Sequence, residues 1–132
     1  MNKTASKEWL VIAFHDLKGA EILYEANHYT DSIGSILQQA LEKTLKAILA
    51  SQNRKIPKSH DLYEIYDLIE VLDFNEEELE LLDKATLYLK EERYPNPNYS
   101  LPSRDKIREV LEFTQKLFYR VCNILEIRVD DL

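Results

Sequence analysis

The sequence predicts an all-α protein, an antiparallel up-and-down bundle of about five helices in a single domain over residues 1–132. Apolar residues recur at three- and four-residue spacing along most of the chain, as one buried face of a helix requires. Only two glycines and four prolines occur in 132 residues, whereas all-β folds need many turn residues. Both observations favour helices over strands throughout the chain.

The first two predicted helices run from about residue 7 to 26 and from about residue 31 to 52. Thr30 or Asp31 can cap the second helix, because a short polar side chain satisfies free N–H groups at a helix start. The apolar stripe of the first helix comprises Leu10, Ala13, Leu17, Ala20 and Tyr24.

Polar residues mark the starts of the three remaining helices. Ser59 can cap a short third helix from residue 60 to about 71. Asn75 with Glu78 three residues later forms a capping box for the fourth helix. Ser103 follows a proline-rich stretch and can cap the last helix.

The charge balance limits the classes of partner. The chain carries 24 acidic and 17 basic side chains, a net charge of −7, and such a surface does not favour a broad nucleic-acid footprint. The single cysteine, Cys122, fits a reducing compartment. No apolar run approaches the roughly 20 residues of a membrane span, and the N-terminal residues turn charged too soon for a signal peptide. We therefore expect a cytoplasmic protein without a membrane segment.

Four segments resemble successive elements of one family of helical proteins. AFHDLKGAEILYEANHYTDS (13–32) resembles the first helix and turn of that family, and SILQQALEKTLKAILAS (35–51) its second helix. KSHDLYEI (58–65) is similar to the start of its third helix, and ERYP (92–95) to the element before its last helix. The family is the HEPN family, and the resemblance implies a helical bundle that pairs as a homodimer. It also implies a minimal nucleotidyltransferase partner, often in a toxin–antitoxin pair, and a link to RNA or a nucleotide.

The family resemblance leaves the enzyme question open. Catalytic members are metal-independent ribonucleases with an arginine followed, four to six residues later, by a histidine. Here no histidine follows Arg93 up to Tyr99, and Asn98 stands where the catalytic histidine can lie. An amide cannot exchange protons usefully at neutral pH. Arg54 and His60 match the spacing, but in a different loop. The alternative to a ribonuclease is a non-catalytic dimeric module that binds a nucleotide or a partner, or a structural dimer without a ligand.

Five residues are candidates for nucleotide or partner binding. His60 and Asp61 can bind an anion at a helix start, or Asp61 can complement the helix dipole while His60 packs on the bundle. Arg93 and Tyr94 can grip a phosphate and stack on a base, or close a helix end and fill a corner of the bundle. Tyr99 resembles a family tyrosine that the transferase modifies with adenylate, or it packs in its loop.

No metal ion and no cofactor are expected. The three histidines are far apart in sequence, and the chain has neither a Cys/His ligand spacing nor a phosphate-cradling glycine loop.

The second predicted helix also carries polar side chains. Glu42 precedes Lys46 by four residues, the favourable order for an ion pair. The polar residues from Gln38 to Lys46 are expected to be partly interfacial or partner-facing, with Ala40 and Ile48 in the core. Dimerisation is also expected because the chain has more aromatic residues than one narrow apolar stripe of a helix can bury. These residues are Trp9, Phe14, Phe113, Phe118 and Tyr119.

Overall fold

A computed structural model of the chain describes residues 1–93 and 101–132, with the backbone alone for residues 90–93. These ranges contain five α-helices and no strand. The helices are α1 (Lys3–Glu25), α2 (Thr30–Ser51), α3 (Leu62–Tyr66), α4 (Glu76–Arg93) and α5 (Arg104–Ile124), followed by a 3₁₀ turn at Val129–Asp131. The predicted all-α class and number of helices are confirmed.

Helix α2 lies at the centre of the bundle. It contacts α1, α3, α4 and α5, and 17 of its 22 residues are buried. Ala40 and Ile48 belong to the core, as predicted. A helix buried on nearly every side must also enclose whatever polar residues it carries. No helix in the described part of the chain is long and apolar enough to cross a bilayer.

The caps of α4 and α5 are confirmed. The Asn75 side chain accepts a hydrogen bond from the Glu78 N–H at 2.8 Å, and the Glu78 carboxylate accepts one from the Asn75 N–H at 3.0 Å. Ser103 Oγ accepts from the Lys106 N–H at 3.1 Å. These bonds satisfy N–H groups that a helix start otherwise leaves without a partner.

The predicted start and length of the third helix are wrong. Asp61, not Ser59, is the N-cap, because its carboxylate accepts from the N–H groups of Tyr63 and Glu64 at 3.0 and 3.2 Å. Ser59 Oγ instead accepts from the Asp61 N–H at 3.0 Å. Helix α3 therefore spans five residues rather than about twelve.

The starts of α1 and α2 also differ from expectation. Asn2 caps α1 by accepting from the Ala5 N–H at 3.1 Å, so this helix begins four residues earlier than predicted. Neither Thr30 nor Asp31 is the N-cap of α2. The helix follows Tyr29, whose side chain makes no capping hydrogen bond.

The aromatic residues that were expected to exceed the capacity of one chain mostly pack within it. Phe113 and Phe118 are buried, and Trp9 and Phe14 are half-buried against the core, whereas Tyr119 is exposed. The rings of Phe14 and Phe118 stack with centroids 5.6 Å apart. The argument for a dimer from these aromatic residues is therefore wrong, because the faces of several helices within one chain together bury most of the rings.

A glycine allows the close approach of α2 and α4. A Cβ atom at Gly34 would lie 2.9 Å from Cγ and Cδ2 of the buried Tyr88 ring. We expect Gly34→Ala to lower the free energy of unfolding by about 1–3 kcal/mol, the usual cost of overpacking, although alanine favours a helix by roughly 1 kcal/mol over glycine.

Gly19→Ala is the matched control for Gly34→Ala. A Cβ at Gly19 in α1 would meet nothing within 4 Å, so this change is expected to stabilise by roughly 0.5–1 kcal/mol. Urea unfolding of both variants measures the difference. Equal effects of the two changes would contradict the tight α2–α4 contact.

Candidate functional site

Three polar residues, Gln38, Glu42 and Lys46, follow one another at four-residue spacing along α2. All three are buried within the chain, so the prediction of a partly interfacial or partner-facing position is wrong for these three residues. The reason is that four other helices, α1, α3, α4 and α5, pack against α2. Gln39 and Lys43 are half-buried, and Lys43 pairs with a different helix.

The Glu42 carboxylate is the centre of this polar group. Lys46 Nζ lies 2.9 Å from Glu42 Oε2, which confirms the predicted ion pair. His60 Nδ1 lies 2.8 Å from Glu42 Oε1, and the Gln38 amide donates to the same oxygen at 3.2 Å. The Gln38 amide also donates to the His60 carbonyl at 2.9 Å. Both the ring and the backbone of His60 are thus attached to α2.

The group connects the core to the surface. The Glu42 side chain is only 9% exposed, whereas that of His60 is 60% exposed. Because Nδ1 faces Glu42, Nε2 on the opposite edge of the imidazole is left for other interactions. Lys46 Nζ lies 5.8 Å from the centroid of the Trp9 ring, a cation–π distance. Gln38 Oε1 is buried without a hydrogen-bond partner in the described residues.

Opposing effects determine the ionisation of Glu42. Burial raises the pKa of Glu42, but hydrogen bonds with Lys46, His60 and Gln38 together outweigh burial. The net result is a pKa below the ordinary value of 4.5. Glu42 is therefore an anion at neutral pH.

The lowered pKa of Glu42 predicts a pH dependence of stability. A carboxyl group whose pKa is lower in the folded state stabilises above its unfolded pKa, and this contribution is lost as pH falls through the folded pKa. We expect wild type to exceed Glu42→Gln in free energy of unfolding above about pH 5.5, one unit above the unfolded pKa. The margin should shrink below pH 4.5. Urea unfolding at several pH values measures it, and a constant margin would contradict a role for the carboxylate charge.

Asp61 and His60 have different environments. The Asp61 carboxylate is occupied as the cap of α3, which matches the helix-dipole interpretation of this residue. The Leu62 N–H donates to Thr86 Oγ1 at 3.1 Å and so ties the start of α3 to α4. His60 does not pack into the bundle, since most of its side chain is exposed. Of the pair, His60 is the side chain that a ligand can reach.

Arg54 and His60 have different hydrogen-bond partners. The Arg54 N–H donates to the Leu49 carbonyl at the end of α2, and its guanidinium donates to the Leu68 carbonyl. His60 is bound at Glu42, seven residues before Leu49, which is roughly 10 Å along the helix axis. The hydrogen bonds of Arg54 and His60 thus connect the two residues to different parts of the chain.

The α2–α3 connection forms a basic concave surface. A cavity of about 660 Å³ is lined by Arg54, Lys55, Ile56, Pro57, Lys58 and Leu68. Its three charged lining residues are all cationic, in a chain of net charge −7. His60 follows Lys58 by two residues in the same connection, so an acidic protein carries a cluster of cationic side chains in the segment that precedes His60.

The other candidate side chains lie outside the described part of the structure. Arg93 ends α4 and is described by its backbone only, and Tyr94, Asn98 and Tyr99 lie outside the described residues. The Arg93 backbone lies five residues, roughly 7.5 Å, beyond Tyr88 along α4. Within residues 1–89 and 101–132, no group of three or more His, Cys, Asp or Glu side chains is placed to hold a metal ion.

Comparison with known proteins identifies this fold. The sequence model of the HEPN domain matches residues 6–125, and the chain therefore belongs to the HEPN family. The crystal structure of TT1696 from Thermus thermophilus has 26% identity and a TM-score of 0.74, with 92% of this chain and 97% of that chain covered.

An archaeal structure is similar to the same bundle. The crystal structure of ST0689, an archaeal HEPN homologue, has 17% identity and a TM-score of 0.70 and covers 91% of this chain and 97% of its own. At that identity the likeness shows the fold alone. No curated protein matches the sequence significantly.

Proposed function

We propose that this HEPN protein binds a phosphate-bearing ligand, RNA or a nucleotide, as one component of a toxin–antitoxin type pair with a minimal nucleotidyltransferase. The observation that supports it best is the exposed His60 ring on the buried Glu42 carboxylate. With Nδ1–H donating to Glu42, protonation of the ring adds a second N–H at Nε2. Nε2–H can donate a charge-assisted hydrogen bond to a phosphate oxygen. The basic cavity of the α2–α3 connection supplies further positive charge.

The same geometry favours binding over cleavage. The Arg54 guanidinium donates to the Leu68 carbonyl, and no histidine follows Arg93 at the motif spacing. A ribonuclease of this family needs both a proton-transferring group and a fixed cation at the scissile phosphate. We therefore expect weak or no ribonuclease turnover from the isolated protein, which corresponds to the non-catalytic binding module.

A parallel assay tests this function. Wild type, His60→Ala and Arg93→Ala are incubated with total RNA and, separately, with labelled ATP, each with and without any nucleotidyltransferase encoded nearby. Wild type should bind RNA or ATP without cleaving RNA, and His60→Ala should lose binding. Robust cleavage by wild type that is abolished in His60→Ala would overturn the proposal and favour a nuclease role for His60.

Two further outcomes locate the partner surface. Adenylate transferred to Tyr99, absent in Tyr99→Phe, would support a regulated toxin. Transferase binding that is unchanged in Arg93→Ala would remove the Arg93 and Tyr94 segment from the partner surface. Absence of any transferase complex would contradict the proposed pair and leave a helical module with another role.

We also propose that the chain pairs as a homodimer. Support comes from an exposed face of α1, where Ile12 and Ile22 are 47% and 68% exposed and Gly19 between them leaves open space. A second copy of the chain can cover such apolar area. Light scattering should give about twice the chain mass of 15.6 kDa, and Ile12→Glu should reduce it. A single-chain mass for wild type at micromolar concentration would contradict the dimer.

A further inference from the structure

The buried ion pair of α2 is costly in a protein core. The side chains of Glu42 and Lys46 are only 9% and 6% exposed. Removing two charges from water often costs more free energy than their mutual attraction returns. A pair of apolar residues of similar volume is often at least as stabilising. Stability alone therefore does not explain the presence of these charges.

The surroundings of Glu42 indicate what the charges do. Both carboxylate oxygens of Glu42 are hydrogen-bonded. Oε2 is bonded to Lys46, and Oε1 is bonded to His60 and Gln38. Lys46 and Gln38 are both buried and come from the same helix, so they hold the carboxylate in one orientation. His60 is the one largely exposed member of the group. The chain of contacts thus runs from rigid α2 outward to a single imidazole.

We propose that Glu42 is the positioning residue for His60, and that Lys46 and Gln38 hold Glu42 in place. This inference rests on the proposed function of His60. The 2.8 Å contact between Glu42 Oε1 and His60 Nδ1 selects the ring form with hydrogen on Nδ1. The second contact, from the Gln38 amide to the His60 carbonyl, holds the backbone. Nε2 of His60 therefore points away from Glu42 in a fixed direction, and in the doubly protonated ring its N–H can donate to an anionic phosphate group.

The test combines a spectroscopic readout with ligand binding. The double variant Glu42→Leu/Lys46→Leu removes the carboxylate without leaving a buried lysine unpaired, so it should still unfold cooperatively. Long-range ¹H–¹⁵N spectra should show His60 with hydrogen on Nδ1 in wild type and a loss of that preference in the double variant. Affinity for a labelled single-stranded RNA or ATP should fall about tenfold, the loss expected for one charge-assisted hydrogen bond. Glu42→Gln, whose amide oxygen can still accept from Nδ1, should retain the ring form.

The matched control is Lys43→Leu, which removes another α2 lysine. Lys43 pairs with Asp16 at 2.7 Å and makes no hydrogen bond with the Glu42 group in the described residues. This variant should keep both the His60 ring form and the affinity. An unchanged ring form in the double variant would overturn the positioning role, even where His60→Ala abolishes binding. Normal binding by His60→Ala would instead contradict the proposed function. The ring form of His60 in Glu42→Leu/Lys46→Leu would still test the positioning role of Glu42.

Discussion

Glu42→Leu is expected to lower the free energy of unfolding by about 3–5 kcal/mol at neutral pH, because it leaves Lys46 buried without its counter-charge. Lys46 is almost fully enclosed, and Glu42 is its only ion-pair partner in the described residues. Urea unfolding monitored by circular dichroism measures the loss. If the unpaired Lys46 charge causes this loss of stability, then removing that charge as well should restore the stability.

The double variant Glu42→Leu/Lys46→Leu provides that rescue. Replacing both members of a buried pair by apolar residues is often neutral or stabilising, so we expect it to recover most of the loss. A double variant as unstable as Glu42→Leu alone would show that packing, and not the unpaired lysine, causes the destabilisation.

Phe118→Ala is expected to cost about 3–5 kcal/mol, the usual range for removing a large buried aromatic side chain. Phe118 is fully buried and stacks on Phe14 between α1 and α5. Thermal and urea unfolding both measure this loss.

The neighbouring Tyr119→Ala is the control for Phe118→Ala. Tyr119 is an exposed ring edge-on to Phe118, so its removal should cost no more than about 1.5 kcal/mol, the upper value for an aromatic pair. Similar losses from the two changes would contradict a core that closes over Phe118.

Local signals in the sequence predicted several helix starts but not all of them. The caps at Asn75 and Ser103 were predictable because each capping hydrogen bond joins residues three apart in the chain. Asn75 accepts from the Glu78 N–H, and Ser103 accepts from the Lys106 N–H. At α3, two capping residue types stand two positions apart, and only the fold shows that Asp61 rather than Ser59 is used. The length of α3 was also mispredicted, because its contacts are long-range ones, such as Leu62 with Thr86.

The candidate site was only partly predictable from the sequence, because some of its contacts also join residues that are far apart in the chain. His60 could be selected from the sequence, and the spacing of Glu42 and Lys46 predicted their ion pair. Helical periodicity cannot tell whether a polar stripe faces water or another segment of the chain. Glu42 meets His60 across 18 residues and a loop. The signal for a buried polar group was that Gln38, Glu42 and Lys46 recur at four-residue spacing, each directly after a leucine.

If His60 is the side chain that contacts a phosphate-bearing ligand, the three histidine rings allow this to be tested in one experiment. NMR spectra of the imidazole groups are recorded while ATP, or separately a short single-stranded RNA, is added to wild type. His15 and His28 are exposed and lie on other parts of the chain, so they are internal controls. We predict a saturable shift of the His60 signals with the other two unchanged. No change at His60 with either ligand, or equal small changes at all three rings, would contradict the proposed role of His60.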